Sequence, residues 1–192
     1  MAAVVVLWVS VGTGMYRTGL DPVGARPISY LGTDPETALV FRSGLIVAAV
    51  LMAGFSWFVF GRFGARRSFL AAFLIGLVGQ VVAAVVLLSG PGASHTVHTV
   101  GGLVLGASLP ILMWRFAAGI PPGSPRRHRV EAYGLCWVEL GACLVGVGLS
   151  ASMRAPLAEI VPALAFHLWV VVITIWSTTA PPGPGRSAAG AG

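Results

Sequence analysis

The sequence predicts an all-α, polytopic membrane protein with six transmembrane helices in one bundle, and three observations carry that reading. Hydrophobic residues make up 56% of the chain and charged residues only 9%. The mean hydropathy is +0.88. Apolar runs recur along almost the whole chain, at residues 2–16, 42–60, 68–89, 96–118, 130–150 and 157–177. Too few polar side chains exist to cover a water-soluble globule. A hydrocarbon core of ~30 Å needs about 20 helical residues at ~1.5 Å each, which every run but the first approaches. The runs lack the alternation of a lipid-facing barrel, and backbone polar groups in lipid must be satisfied within the helix itself. Residues 1–179 therefore form one membrane domain. The Pro/Gly/Ala segment 180–192 can bury nothing and is expected to be a disordered cytoplasmic tail.

The first run, Ala2 to Tyr16, would span only ~22 Å as a helix. No basic residue precedes it, as a secretory signal would require, and no A-x-A cleavage site follows. The expectation is a genuine first transmembrane helix whose outer turns lie upstream of the present start, in preference to a cleaved signal peptide. Helix 2 is announced by Thr33-Asp34-Pro35-Glu36. Thr33 or Asp34 can cap, Pro35 suits a first turn, and Glu36 can return the capping bond near the positive helix end. The helix should run from 35 to 60, some 39 Å at ~1.5 Å per residue, so its first turns stand above the lipid. Arg42 then lies near the headgroups, where snorkelling is preferred over a phosphate-binding role.

The remaining helices are expected at 68–89, 96–118, 130–150 and 157–177, and the arginines between them set the topology. All twelve basic residues are Arg, which with the Ala, Gly and Val richness points to a high-GC bacterial genome. Arg62, Arg66 and Arg67 lie between helices 2 and 3, and Arg126, Arg127 and Arg129 between helices 4 and 5. The connection Gly90-Pro91-Gly92-Ala93 has none. Short arginine-rich loops stay inside, so both termini are expected in the cytoplasm of a cell (plasma) membrane, with the loop at 17–34 outside and Arg154 a lone exception. Trp57, Trp114 and Trp176 fall near the expected cytoplasmic ends, as interfacial anchors do. The net charge of +6 thus reports orientation, with no nucleic-acid partner expected. Gly61-Arg62-Phe63-Gly64 reads as a turn.

An ionised side chain at mid-bilayer costs ~2.5–3.5 kcal/mol, so polar residues within the spans are the candidate site. Gln80, Glu139 and His167 fall near the middle of helices 3, 5 and 6, and His98 in the outer third of helix 4. Each shares a face with small residues, as His98 does with Gly102 and Gly106, and such faces mark close helix contacts. A buried Glu139–His167 contact, with Gln80 nearby, is expected. It reads first as a hydrogen-bonded structural cluster and second as a proton- or cation-sensitive site.

At the outer surface the candidates are His95, His98, Asp34 and Arg42. The H-x-x-H spacing of His95 and His98 puts both imidazoles on one helical face, as some metal sites require. Metal catalysis needs a third ligand, and the acidic residues on that side are Asp21, Asp34, Glu36 and Glu159, in the loops. Cys136 and Cys143, seven residues apart on one helix, would stand ~10 Å apart, too far for a disulfide. They read as small apolar packing residues. Pro110 and Pro162 should kink helices 4 and 6 and free carbonyls at membrane depth.

The stretch Pro27-Ile28-Ser29-Tyr30-Leu31-Gly32-Thr33-Asp34-Pro35-Glu36, followed by Leu39-Val40-Phe41 and a Gly-containing helix, resembles the P-x-I-S-x-x-G segment of the DRAM/FRAG/SFK superfamily of six-helix membrane proteins. Its bacterial branch is the domain of unknown function nine-nine-eight. In layout the resemblance covers all six helices. It departs at Tyr30, where eukaryotic members usually show Asp. The resemblance implies architecture and an association with lipid handling.

The expected function is thus that of an integral membrane protein, lipid-associated or scaffolding, with membrane lipids and a second copy docked through glycine faces as partners. No cofactor and no catalytic residue are assigned. A membrane-embedded metal-dependent lipid hydrolase and a small transporter or proton/cation-sensitive sensor are the alternatives.

Overall fold

The computed structural model describes residues 1–86, 92–121, 124–152 and 155–179. Gly90 and Pro91 of the arginine-free connection, Arg154, and the segment 180–192 lie outside the described residues. Six helices follow in order: α1 Ala2–Thr18, α2 Ala38–Phe63, α3 Arg67–Val85, α4 Ala93–Gly119, α5 Arg126–Ala151 and α6 Ala155–Thr179, with a short 3₁₀ turn, Ile28–Gly32, between α1 and α2. Five of them, α2 to α6, are long and apolar enough to cross a membrane, with mean hydropathies of 1.5 to 2.2 over their best windows. α1 is apolar but shorter.

The apolar surface is turned outward. Val147 is 70% exposed, Val50 67%, and Leu103 and Leu144 66%, whereas small residues face inward. In water such surfaces would aggregate, so the pattern fits a chain whose solvent is hydrocarbon. A carbon placed on Gly79 would lie 2.6 Å from the Gly101 carbonyl oxygen and 2.9 Å from the Leu105 nitrogen. One on Gly44 or Gly76 would collide with the hydroxyl of Ser10 or Ser108 respectively. These pairs let α1 meet α2 and α3 meet α4 at backbone distance. The expected close contact through Gly102 and Gly106 is not the one made: Gly102 has open space beside it, as does Gly106, and Gly101, one residue earlier, takes the α3 contact. A one-residue offset turns a helical position by ~100°, enough to exchange a partner helix for lipid.

α6 is the hub. Consecutive helices pack in chain order, and α6 adds contacts to the rest. Its Trp8–His167 bond reaches α1, while Trp169 meets Phe55 of α2, Phe69 of α3 and Phe116 of α4 at ring-centroid distances of 6.3, 6.4 and 5.5 Å. Around Trp169 the bundle is held by aromatic rings. Nearer the 3₁₀ turn it is held by small residues.

The two arginine-bearing connections come together at one end. Gly119 stands beside Arg66, Arg129 reaches the Ile120 carbonyl, and His128 stacks on Trp176 at 4.6 Å. Trp176 is therefore buried under an imidazole and is not the interfacial anchor expected of it; Trp57 and Trp114 are exposed there. The expected turn at 61–64 is also revised. α2 continues through Phe63 and stops only at Gly64, whose φ of 62° gives the left-handed cap.

At the opposite end the α2 boundary shifts as well. The Asp34 side chain accepts from the Glu36 N–H (2.9 Å), and its carbonyl from the Ala38 N–H (2.8 Å). The segment 34–37 is a turn, and the helix proper begins at Ala38 with no side-chain cap from Thr37. Glu36 makes no return bond because Asp34 folds back on its own backbone first, the competition open to any Asx residue.

Candidate functional site

Gln80 and His167 meet at a central cavity of about 80 Å³, bordered also by Leu7, Ala48, Leu105 and Ser108. Five helices contribute to its wall. It exceeds the roughly 10–15 Å³ that a single water requires, but its lining is apolar apart from these three polar side chains, and apolar cavities take hydrocarbon in preference to water. The polar groups are oriented by bonds made behind them. Trp8 Nε1–H donates to His167 Nδ1 at 3.0 Å. Because indole only donates, Nδ1 must be the bare nitrogen, which leaves the ring proton on Nε2. Gln80 donates its amide N–H to the Leu45 carbonyl at 2.9 Å, freeing its amide oxygen. Ser108 donates to the Leu105 carbonyl at 2.7 Å. The arrangement can hold a largely apolar group that carries one polar atom.

Glu139 is not part of it. The expected Glu139–His167 contact is not formed: His167 is bonded to Trp8, and Glu139 accepts the Cys143 thiol at 3.4 Å, its second oxygen having no partner among the described residues. The reason lies in helix order, since α5 packs on α4 and α6 away from the α1–α2–α3 side that the cavity occupies.

The surroundings of Glu139 explain both cysteines and both prolines. Pro110 removes the N–H that would bond the Gly106 carbonyl, and Pro162 does the same to Ala158. The Cys143 thiol approaches the Gly106 carbonyl at 3.9 Å, and the Cys136 thiol the Pro110 carbonyl at 3.5 Å. Gly146 lies against the Ala158 carbonyl, where an added carbon would come within 2.7 Å. One helix thus covers the freed carbonyls of its two neighbours.

The outer candidates resolve into fasteners. His98 Nδ1 bonds the Val86 carbonyl at 3.0 Å, tying the start of α4 to the end of α3. Arg42 Nε donates to the Gly32 carbonyl at 2.8 Å, so the guanidinium clamps the 3₁₀ turn and does not snorkel freely. Arg42 and His98 border one small cavity of about 10 Å³, which Asp34 and His95 do not line. His95 is exposed. No group of three metal-ligating side chains converges among the described residues.

Glu159, expected in a loop, sits in the second turn of α6 and accepts from the Ser29 N–H at 3.2 Å and the Ser29 hydroxyl at 3.4 Å. Two donors at the start of the 3₁₀ turn are thereby answered by a carboxylate, the geometry of an N-terminal cap supplied from another helix. The turn so held carries fully buried Leu31, which packs with Val11, Ile28 and Phe41 and presses on Gly14 of α1. Glu159→Ala should loosen this plug. Faster amide exchange at residues 28–33, with exchange in α3 unchanged, is the expected outcome, and Glu159→Gln should restore most of the protection by keeping an acceptor.

Trp8, Ser108 and Trp169 were not singled out as site residues by sequence. Trp8 sits in the short first helix, and only the α1–α6 approach shows its partner.

No curated protein and no solved structure matches the chain. A family model covers nearly all of it, residues 1–180. With six apolar helices and this length of match, the chain belongs to the family described as Protein of unknown function (DUF998).

Proposed function

We propose that the chain is a lipid-associated integral membrane protein that takes one apolar chain end, or a small amphiphile, into its central cavity. In this reading all six helices span a cell (plasma) membrane, with both termini in the cytoplasm beside the arginine end. The observation that carries it is the cavity of about 80 Å³ between five helices, with the His167 donor and the Gln80 acceptor oriented by bonds to Trp8 and Leu45. A pure scaffold has no use for an oriented pair beside a void, since an empty cavity costs stability. The metal-dependent hydrolase reading finds no third ligand beside His95 and His98 among the described residues. A transporter or sensor reading is weakened because Glu139 stands apart from the cavity. Glycine-mediated pairing through Gly102, which is open on the outer face, is compatible with this function.

Ala48 is 2% exposed and lines the cavity, so Ala48→Phe should fill it. Wild-type protein purified from native membranes is expected to retain an amphiphile measurable by mass spectrometry after detergent exchange, and the Ala48→Phe variant to lose it while keeping its helical circular dichroism. Equal retention by both proteins would overturn the reading.

A further inference from the structure

A second feature lies on the outside of the bundle, between α4 and α5 at the arginine end. A surface groove of about 400 Å³ is bordered by Pro110, Ile111, Trp114, Arg115, Trp137 and Leu140. We propose that this groove binds an anionic phospholipid of the leaflet at the arginine end, its phosphate on Arg115 and one acyl chain lying along the groove toward Pro110. The proposal rests on the lipid-associated reading above, and it names a different site and a different ligand chemistry.

Charge decides the occupant. Arg115 is exposed, and its side chain has no ion pair or hydrogen bond among the described residues, whereas Arg127 at the same end is paired with Glu131. Four residues separate Arg115 from the last residue of α4, Gly119, or ~6 Å along the axis. An unpaired guanidinium at that depth sits where phosphate groups lie, and a charge there needs a counter-ion more than one in water does. Arg62, Arg66, Arg67, Arg126 and Arg129 crowd the same end, and Glu131 is the acid placed near them. The field therefore favours an anion over a zwitterion.

Shape decides the rest. Trp114 is 47% exposed and Trp137 62%, and Trp114 is steadied edge-on by Tyr133 at 5.1 Å. Rigid aromatic walls at headgroup depth and below hold a chain at little entropic cost. Pro110 and Cys136 both border the groove, and the Pro110 carbonyl is answered by the Cys136 thiol.

The test uses the full chain in phosphatidylcholine bilayers doped with brominated phosphatidylglycerol or brominated phosphatidylcholine, reading tryptophan quenching. The component lost in Trp137→Phe isolates the groove. Phosphatidylglycerol is expected to quench that component more strongly, consistent with about fivefold local enrichment for one arginine contact. Arg115→Gln should equalise the two lipids, and Arg115→Lys should keep a preference. Arg127→Gln, at the same end but already paired, should leave the preference intact. Added inorganic phosphate should have no effect. Equal quenching in the wild type, a preference surviving Arg115→Gln, an equal loss in Arg127→Gln, or abolition by free phosphate would each overturn the proposal. So would a dimer in which neither lipid reaches Trp137. The cavity test reads a retained amphiphile and this one reads quenching at Trp137, so failure at the groove is distinguishable from failure at the cavity.

Discussion

Gly79→Val is expected to lose the folded bundle, whereas Gly102→Val should be nearly neutral. The groups facing Gly79 are main-chain atoms of α4, the Gly101 oxygen and the Leu105 nitrogen, and neither can swing aside as a side chain would. α3 and α4 would have to separate along the contact that also holds Gly76 against Ser108. Overpacking against movable neighbours costs about 1–3 kcal/mol, and rigid backbone puts this case at or above the top of that range. Gly102 has nothing within reach, so a side chain there meets lipid and should change stability by about 0.5 kcal/mol or less. Thermal unfolding followed by size-exclusion chromatography in detergent distinguishes them. Equal behaviour of the two variants would mean that the α3–α4 register is wrong.

Trp169→Ala should cost about 3–5 kcal/mol, the range for a large buried aromatic side chain. The indole is fully buried and lies where rings from three other helices, α2, α3 and α4, meet α6. It meets Phe55 edge-on at 89° and Phe116 at 87°, and stacks on Phe166 at 19°, so its removal leaves facing rings with no partner. Trp169→Phe should lose clearly less. It keeps a ring in the cage and removes an indole N–H that has no hydrogen-bond acceptor, whose burial itself carries a cost of about 1–3 kcal/mol. Urea titration of intrinsic fluorescence in mixed micelles measures both. A phenylalanine variant as damaged as the alanine variant would show that ring size, and not the cage of rings, sets the stability.

What the sequence made legible was the solvent. Composition and run length identify hydrocarbon-exposed helices because an apolar exterior needs no partner to be recognised, and the observed helices overlap each expected run. Boundaries were less legible where local chemistry competes: Asp34 could cap a helix or close a turn, and it closes a turn. The polar site was half legible. Gln80 and His167 were found by their cost in lipid, but which helix each one faces depends on packing order, and no single-helix periodicity contains that. Glu139 drew attention for the same reason and belongs elsewhere, against Cys143. The glycine reading missed by one position for a related reason: small residues at 101, 102 and 106 all suit a contact, and only the partner's Gly79 selects among them.

Pro110 and Pro162 each leave a carbonyl without its helical donor, and α5 screens both, through Cys143 and Gly146. Were α5 to move away, two bare dipoles would face the acyl phase together, each at several kcal/mol. Separation of α4, α5 and α6 is therefore penalised jointly, and the carboxyl-terminal half of the chain should yield to heat or mechanical load as one cooperative block. α1, bound to α2 through Ser10, to the 3₁₀ turn through Val11 and Gly14 and to α6 through the Trp8–His167 bond, has no such shared penalty and is the natural first element to detach.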